Sequence, residues 1–516
     1  MSSSGSSYEL VPGRWAVAVA FSMAWDGAAG GVSGQGAGAA GRLAGFREEL
    51  YWSLTRRADA LFELADAVLC WPGRVSDLAR LSLAPEFSRG HGALYDALNA
   101  GRLEAGRVRR ALAGLVLPAW PDGRVRLAVD VTAWLRPDAH ASPERLFCHV
   151  HGRGKNASQR VPGWPYSVVA ALGPGRSSWT LPLDAVRLGP DDDECLVTAG
   201  QLREVLARLQ AAGQWKDGDP EVVIAMDAGY NATRLAFLLA DLPVIIVARV
   251  RADRVFCRRP APRAPHVAGR QARHGAPVRC ADPATWDGAA EQQEGHDTRH
   301  GPVRAAAWNR VHQQVHRNTA GFGDWPQDQE LPVIEGTLIR LSAARPAPGG
   351  RALEPMWLWA SAPDAGPGLL AVCWQAYLRR FDLEHTFRFL KQQLGWTRPL
   401  LRDPAAADRW TWLVIAAYAQ LYLARQLSAV TRLPWQRPQG PGQAEAMTPG
   451  RVRAGFRRAR QMAGTPASTA KPSRPGPGRP KGSKNKRKAP RHRPGKRTLK
   501  HPEQAKKPKK PAKSTG

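Results

Sequence analysis

Cysteine is scarce: six in 516 residues (Cys70, Cys148, Cys195, Cys257, Cys280 and Cys373), with no C-x-x-C pair. That excludes a disulfide-stapled scaffold and a zinc ribbon, and it fits a reducing compartment. Long apolar runs are missing too. The longest, Trp410 to Ala424, is about 15 residues, flanked by Asp408, Arg409 and Arg425; it is too short to span a bilayer and reads as a buried helix. Residues 1–12 are Ser-rich and lack the basic-then-apolar order of a secretory signal. No internal repeat is visible. Acids are short of bases, 44 against 74, for a net charge of +30. With 43% hydrophobic residues the chain can build a core, and its length suggests two or three domains. The expectation is a soluble, intracellular, strongly basic protein whose partners are polyanions.

The charge is uneven. Lys471 to Gly516 carries 18 basic residues and one acid, Glu503, and no Phe, Tyr or Trp follows Phe456. This end is expected to be a disordered, Pro-punctuated basic tail. Within it, Gly478-Arg479-Pro480-Lys481 resembles half of an AT-hook, with Pro477 where that motif usually has Arg. Arg479 and Lys481 are therefore DNA-binding candidates. The blander reading, a polybasic arm that binds phosphates without sequence preference, stands ahead of it.

The remaining chain divides by texture into residues 1–41, a flexible Ser/Gly/Ala-rich start; 42–118, helical; 119–250, an α/β core; 251–355, an insertion; 356–430, the core resumed; and 431–516, linker and tail. In the helical region Leu61, Leu64, Ala65 and Val68 recur at helical spacing, Ser76-Asp77 opens a short segment, and Ser88 is placed to cap another. Short helices with many arginines suit a DNA reader and suit a packing domain equally. Strands are expected at Val125–Val131, ending near Asp130, and at Leu146–His151, Tyr166–Leu172 and Ser178–Leu188. Thr198, with Gln201 three residues on, has the pattern of a capping box. Glu221–Met226 and Pro243–Val250 read as buried strands around a helix from Asn231 to Ala240. The insertion, rich in Arg, Pro, His and Gly, is expected to be β-rich, with a strand at Val333–Leu341. Helices at Leu370–Leu394 and Ala405–Leu427 follow.

Asp130 and Asp227 stand at expected strand ends, where open α/β sheets place functional groups, though an Asp capping the next helix explains either alone. On the helix after the insertion, Tyr377, Arg380, Glu384 and Lys391 fall within about 60° of one another, whereas Asp382 points away. Three acids from separate elements suffice to hold hard divalent cations such as Mg²⁺, and two such ions can promote in-line phosphodiester cleavage. Arg380 would grip a phosphate with a fork, Lys391 as a point charge, and Tyr377 could donate to a phosphate oxygen. The run Asp191-Asp192-Asp193-Glu194 reads as a solvated loop before a helix, His385 turns away from Glu384, and the histidines from His266 to His316 read as surface residues.

The run YLRRFDLEHTFRFLK, Tyr377 to Lys391, fits Y-(2)-R-(3)-E-(6)-K without a gap. It resembles the YREK signature of a large group of bacterial DDE insertion-sequence transposases, and Asp130 and Asp227 resemble that family's two aspartates. The resemblance covers roughly residues 124–430. It implies an α/β fold with a ribonuclease H-like catalytic core interrupted by a β-rich insertion, a helical N-terminal region and a disordered basic C-terminal tail. It implies that Asp130, Asp227 and Glu384 are catalytic and hold two Mg²⁺ ions, for which Mn²⁺ can substitute, and that Tyr377, Arg380 and Lys391 contact transposon-end DNA. The implied reaction is hydrolysis freeing a 3′-OH, then attack of that 3′-OH on target DNA. The implied partners are double-stranded DNA and a second copy of the chain on it, in the bacterial cytoplasm at the nucleoid, with no membrane. Trp286, Trp308 and Trp325 are candidates to stack a flipped base, although packing of a small β core explains each of them better. A non-mobile nuclease on the same core and a non-catalytic DNA-binding protein remain as rivals.

Overall fold

The computed structural model describes residues 32–150, 159–175, 177–262, 271–316, 322, 325–326, 328–343, 355–430, 447–471, 480–483 and 488–495. Five helices open it: α1 (Val32–Ser53), α2 (Ala58–Cys70), α3 (Leu78–Leu81), α4 (His91–Ala100) and α5 (Ala105–Ala113). Between them the short strands β1 (Leu54–Arg56) and β2 (Arg102–Leu103) pair antiparallel. The first helix thus begins ahead of residue 42, where the helical region was expected to start. Asp77 caps α3 by accepting from the Arg80 amide. Ser88 does not cap α4, which starts after Gly90; its amide and hydroxyl both bind the Glu63 carboxylate, each at 2.9 Å.

The core follows as β3 (Arg126–Leu135), β4 (Leu146–Val150), β5 (Gln159–Leu172), β6 (Thr180–Arg187), α6 (Glu194–Ala211), β7 (Val222–Met226), α7 (Ala232–Leu238) and β8 (Val244–Val250). The cap of α6 is Asp193, whose carboxylate accepts from the amides of Cys195 and Leu196 and also pairs with Arg234. Thr198 is buried inside the helix, and Gln201 binds Ser167 on β5 instead of closing a capping box. β7 and β8 are nearly continuous apolar runs because helices cover both of their faces.

The insertion supplies β9 (Val255–Cys257), β10 (Pro277–Arg279), β11 (Glu291–Asp297), β12 (Gly301–Val311) and β13 (Gly336–Ala343), and the resumed core opens with β14 (Met356–Ala360). Four of these extend the main sheet, whose ten strands run β11-β12-β13-β14-β8-β7-β3-β5-β4, with β6 also on β5. The pairs β3–β7 and β7–β8 are parallel, and the other pairings of this sheet are antiparallel. The chain then forms α8 (Pro367–Gln392), α9 (Pro404–Val430), α10 (Pro449–Ala454) and α11 (Phe456–Ala463).

The run Trp410–Ala424 lies within α9 and is almost wholly buried, as expected of a core helix. Among the described residues no helix is long and apolar enough to cross a membrane. The opening helices pack on α9, and Arg47 ties them there: it donates to both oxygens of Asp66 (2.7 and 2.9 Å) and to Gln420 (2.6 Å). Arg460 of α11 reaches the same Asp66 at 2.6 Å.

Residues 431–516 were expected to be a linker and, from Lys471, a disordered basic tail; described parts of both are packed on the rest of the chain. Phe456 of α11 is fully buried. Residues 488–495 lie along the β4 edge: the Gly495 amide donates to Arg145 O (2.7 Å), and Gly495 O accepts from the Phe147 amide (3.2 Å). The buried Arg145 guanidinium also donates to His492 O at 2.9 Å. An edge strand offers unpaired backbone groups, and these contacts satisfy some of them. Arg479 lies outside the described residues, and Lys481 is exposed.

Candidate active site

Parallel register brings two acids together. Ala128 of β3 is the partner of Ala225 of β7, so Asp130 and Asp227, each two residues on, are level with one another. Alternation along β7 sends Val223 and Ala225 toward α8, and Asp227 continues that face. Arg126, on the same face of β3 as Asp130, donates to Gln375 of α8 at 2.9 Å. Asp130 is not at a strand end, as the sequence suggested. β3 runs on to Leu135 because residues 131–135 pair with 163–167 of β5 after β7 has stopped. What ends at this level is the β7 pairing, and that opens the space beside Asp130.

The third acid comes from α8, which crosses this face of the sheet. Glu384 lies one helical turn after Arg380, and the Arg380 guanidinium joins all three acids. It donates through Nη1 to Asp130 Oδ2 (3.1 Å) and through Nη2 to Glu384 Oε1 (3.1 Å), and Asp227 Oδ1 lies 3.8 Å from Nη2. The Arg380 side chain is only 2% exposed, against 19% for Asp130, 43% for Asp227 and 44% for Glu384. The acids therefore form the mouth of the site and the arginine its floor. Arg380, expected at the DNA, here serves the three acids as an internal counter-ion.

The electrostatics follow from burial. Asp130 is pushed up to about 6, chiefly by burial; Arg380 and the Val131 amide pull it down, and Asp227 and Glu384 push it further up. For Arg380, burial works against the charge, but the nearby acids outweigh it and the group is held above its ordinary value. Lys391 is lowered to about 8 by burial, offset in part by Cys148 and Asp130, and its ammonium lies 5.8 Å from the centre of the Trp396 ring.

Tyr377 is fully buried beneath Arg380, with the guanidinium carbon 5.7 Å from its ring centre. Its hydroxyl has no hydrogen-bond partner, and burial raises its pKa. Tyr377, expected at the DNA, here packs beneath the guanidinium. Asp382 does point away from the acids, as its helical angle required. It is fully buried and paired with Arg299, from the turn after β11, and with Arg379 at 3.5 Å, an inter-element link that no local pattern announces.

Other readings resolve by packing. Trp286, Trp308 and Trp357 form one cluster with ring centres 5.0 to 6.0 Å apart, and Trp325 packs on Phe237 and Phe322. His312 is not a surface residue. It is completely buried, with Nε2 2.8 Å from Nδ1 of His274, and burial lowers the pKa of both rings.

Among the described residues no three His, Cys, Asp or Glu side chains form a ready metal cage. Here the expected ligands Asp130, Asp227 and Glu384 share a guanidinium as their cation. Their chemistry still fits a hard divalent ion: all donors are carboxylate oxygens, and the buried Asp227 Oδ1 accepts no hydrogen bond.

No curated protein matches the chain. The family model described as DDE superfamily endonuclease matches residues 49–315, a span that holds Asp130 and Asp227. With half of its length matched and the two aspartates level on adjacent strands, the chain belongs to the DDE superfamily endonucleases, enzymes acting on DNA.

Proposed function

We propose that the chain is a DNA transposase in which Asp130, Asp227 and Glu384 act together on the scissile phosphodiester. The observation that carries this reading is the convergence of acids from β3, the end of β7 and α8 on one buried guanidinium. The sheet order supports a ribonuclease H-like core: β3, β5 and β6 are antiparallel neighbours, and β7 and β8 then add in parallel. The Y-(2)-R-(3)-E-(6)-K spacing supports the bacterial insertion-sequence group with the YREK signature.

In the hydrolytic step water attacks phosphorus in line, the P–O3′ bond breaks, and the 3′ oxygen leaves protonated as the water is deprotonated. In strand transfer the freed 3′-OH replaces water, and a target P–O3′ bond breaks. Two divalent cations, Mg²⁺ with Mn²⁺ as substitute, would be held by Asp130, Asp227 and Glu384 and would supply Lewis-acid activation and charge relief there. Arg380 keeps the acids oriented from below, Tyr377 fixes Arg380 by packing, and Lys391 stands in the same row as a cation for the phosphate backbone. Cutting and joining two ends calls for two copies of the chain on the DNA, and the setting is the bacterial cytoplasm at the nucleoid.

The test is excision and integration in cells of a marker flanked by the encoding element's own ends, with wild type and Glu384→Gln compared. Movement with the wild type alone, while both bind DNA, supports the reading. Equal movement with both overturns the active-site assignment. If the wild type cuts its ends in vitro in Mg²⁺ but never joins them, the protein is a nuclease instead.

A further inference from the structure

A second basic site lies on the same face of the sheet as the acids. Asp130 pairs across β5 with Val168, and Thr132, two residues on, pairs with Tyr166, which pairs in turn with Arg187 of β6. Tyr166 and Arg187 therefore share the face of Asp130. Arg187 is two strands across and two residues along, roughly 10–15 Å from Asp130 at ~4.8 Å per strand and ~3.3 Å per residue. The two places also connect through side chains, since Tyr166 packs edge-on against Trp396, the ring over which Lys391 lies.

Here β2, α5, β6 and the start of α9 enclose a cleft of about 420 Å³ whose lining includes Arg102, Arg109, Arg187 and Arg409. Two of these guanidiniums are paired. Arg109 binds the buried Asp184 at 2.8 Å and lies over the Trp412 ring, and Arg187 binds Asp408 and Glu144. The other two make no close ion pair among the described residues, although Asp403 and Asp408 both favour the charge of Arg409. Arg102 is exposed with no ion pair among the described residues, and Arg409, half-buried, donates only to the Leu98 carbonyl. Asp408 is the one acid in the lining, and Arg187 and Tyr166 already engage it. The cleft thus sets four guanidiniums against one lining acid, with directional N–H donors beside aromatic walls, a setting that suits a phosphate more than a neutral ligand.

We propose that this cleft binds backbone phosphates of the DNA strand leaving the three-carboxylate site, with Arg102 and Arg409 as the contacts. The inference rests on the DNA-cutting reading above. The cleft then fixes the register of the strand while the acids act on one of its phosphates.

The test uses the full chain and a fluorescein-labelled DNA duplex, with Kd measured by anisotropy across a salt series. The Arg102→Ala/Arg409→Ala double variant is expected to bind at least about tenfold more weakly, and its slope of log K against log salt is expected to be shallower by about two. The Arg102→Lys/Arg409→Lys variant, which keeps the charges, should retain most of the slope. Arg102→Ala alone removes an exposed side chain and cannot unfold the core, so its expected slope change of about one keeps the test readable. Unchanged slope and Kd in both alanine variants, with wild type binding normally, overturn the cleft assignment alone. If wild type itself does not bind the duplex at low salt, the DNA reading falls, and the cleft assignment with it.

Discussion

Arg380 donates to Asp130 at 3.1 Å from the floor of the site, not from its mouth. The same guanidinium reaches Glu384 and Asp227, so a single buried cation holds three acids from separate elements in register. Burying the guanidinium is tolerable only with partners of this kind, and removing it leaves the three acids uncompensated.

Arg380→Ala should therefore unfold more easily. At neutral pH the loss is expected to be about 3 kcal/mol, read as a fall in Tm by differential scanning fluorimetry. Added Mg²⁺ should recover part of that Tm in the variant and change the wild type less, because the acids then gain a cation they lack. A variant as stable as wild type would show that the three acids do not depend on Arg380.

Asp130 carries a burial cost with a definite pH signature. Its folded pKa of about 6 lies above the ordinary 3.8, so the folded state holds its proton more tightly. That contribution is favourable below about 4 and is lost as pH rises through 6. Asp130→Asn should then be more stable than wild type at pH 8, by on the order of 2 kcal/mol, with the gain vanishing toward pH 4. Thermal melts of both proteins across that range check this. A gain that does not change with pH would contradict the assignment.

These two residues mark what the sequence could and could not tell. β7, β8, α8 and α9 were legible because their apolar runs are long and bounded, and Asp227 follows directly where β7 ends. The shared face of Tyr377, Arg380, Glu384 and Lys391 was legible from helical angle, but not which way that face looks. The partner of Arg380 is 250 residues away in Asp130, so a row that could equally have faced solvent turned out to be packed on the sheet. The same distance problem hid the α6 cap. Asp193 competes with Thr198 by local pattern and wins through Arg234, 41 residues on. His312 looked like a surface residue because nothing near it in sequence shows that it backs onto His274.

Tyr377→Phe separates packing from chemistry. The hydroxyl is buried without a partner, so its removal should leave stability unchanged or raise it by up to about 1 kcal/mol. DNA nicking should persist in this variant, whereas Tyr377→Ala should lose both stability and nicking. Loss of nicking in Tyr377→Phe with an unchanged Tm would return the hydroxyl to the chemistry.

The edge-docked segment makes a separate claim. A Cβ at Gly495 would stand 2.9 Å from Pro190 Cβ and 3.2 Å from Leu146 Cδ2. Gly495→Val should thus detach residues 488–495 from β4, seen as faster trypsin cleavage after Arg491, with little change in the Tm of the core. Cleavage at the wild-type rate would mean that the segment is not held there in solution.

The central claim, that Asp130, Asp227 and Glu384 form the phosphodiester-cutting centre, is tested most directly by single-turnover nicking. The substrate is a duplex carrying the element's terminal sequence, in Mg²⁺, with Kd for the same duplex measured alongside. Asp130→Asn, Asp227→Asn and Glu384→Gln are each predicted to bind it about as tightly as wild type and to nick it several orders of magnitude more slowly. A variant of any one of the three that nicks at the wild-type rate would contradict the account.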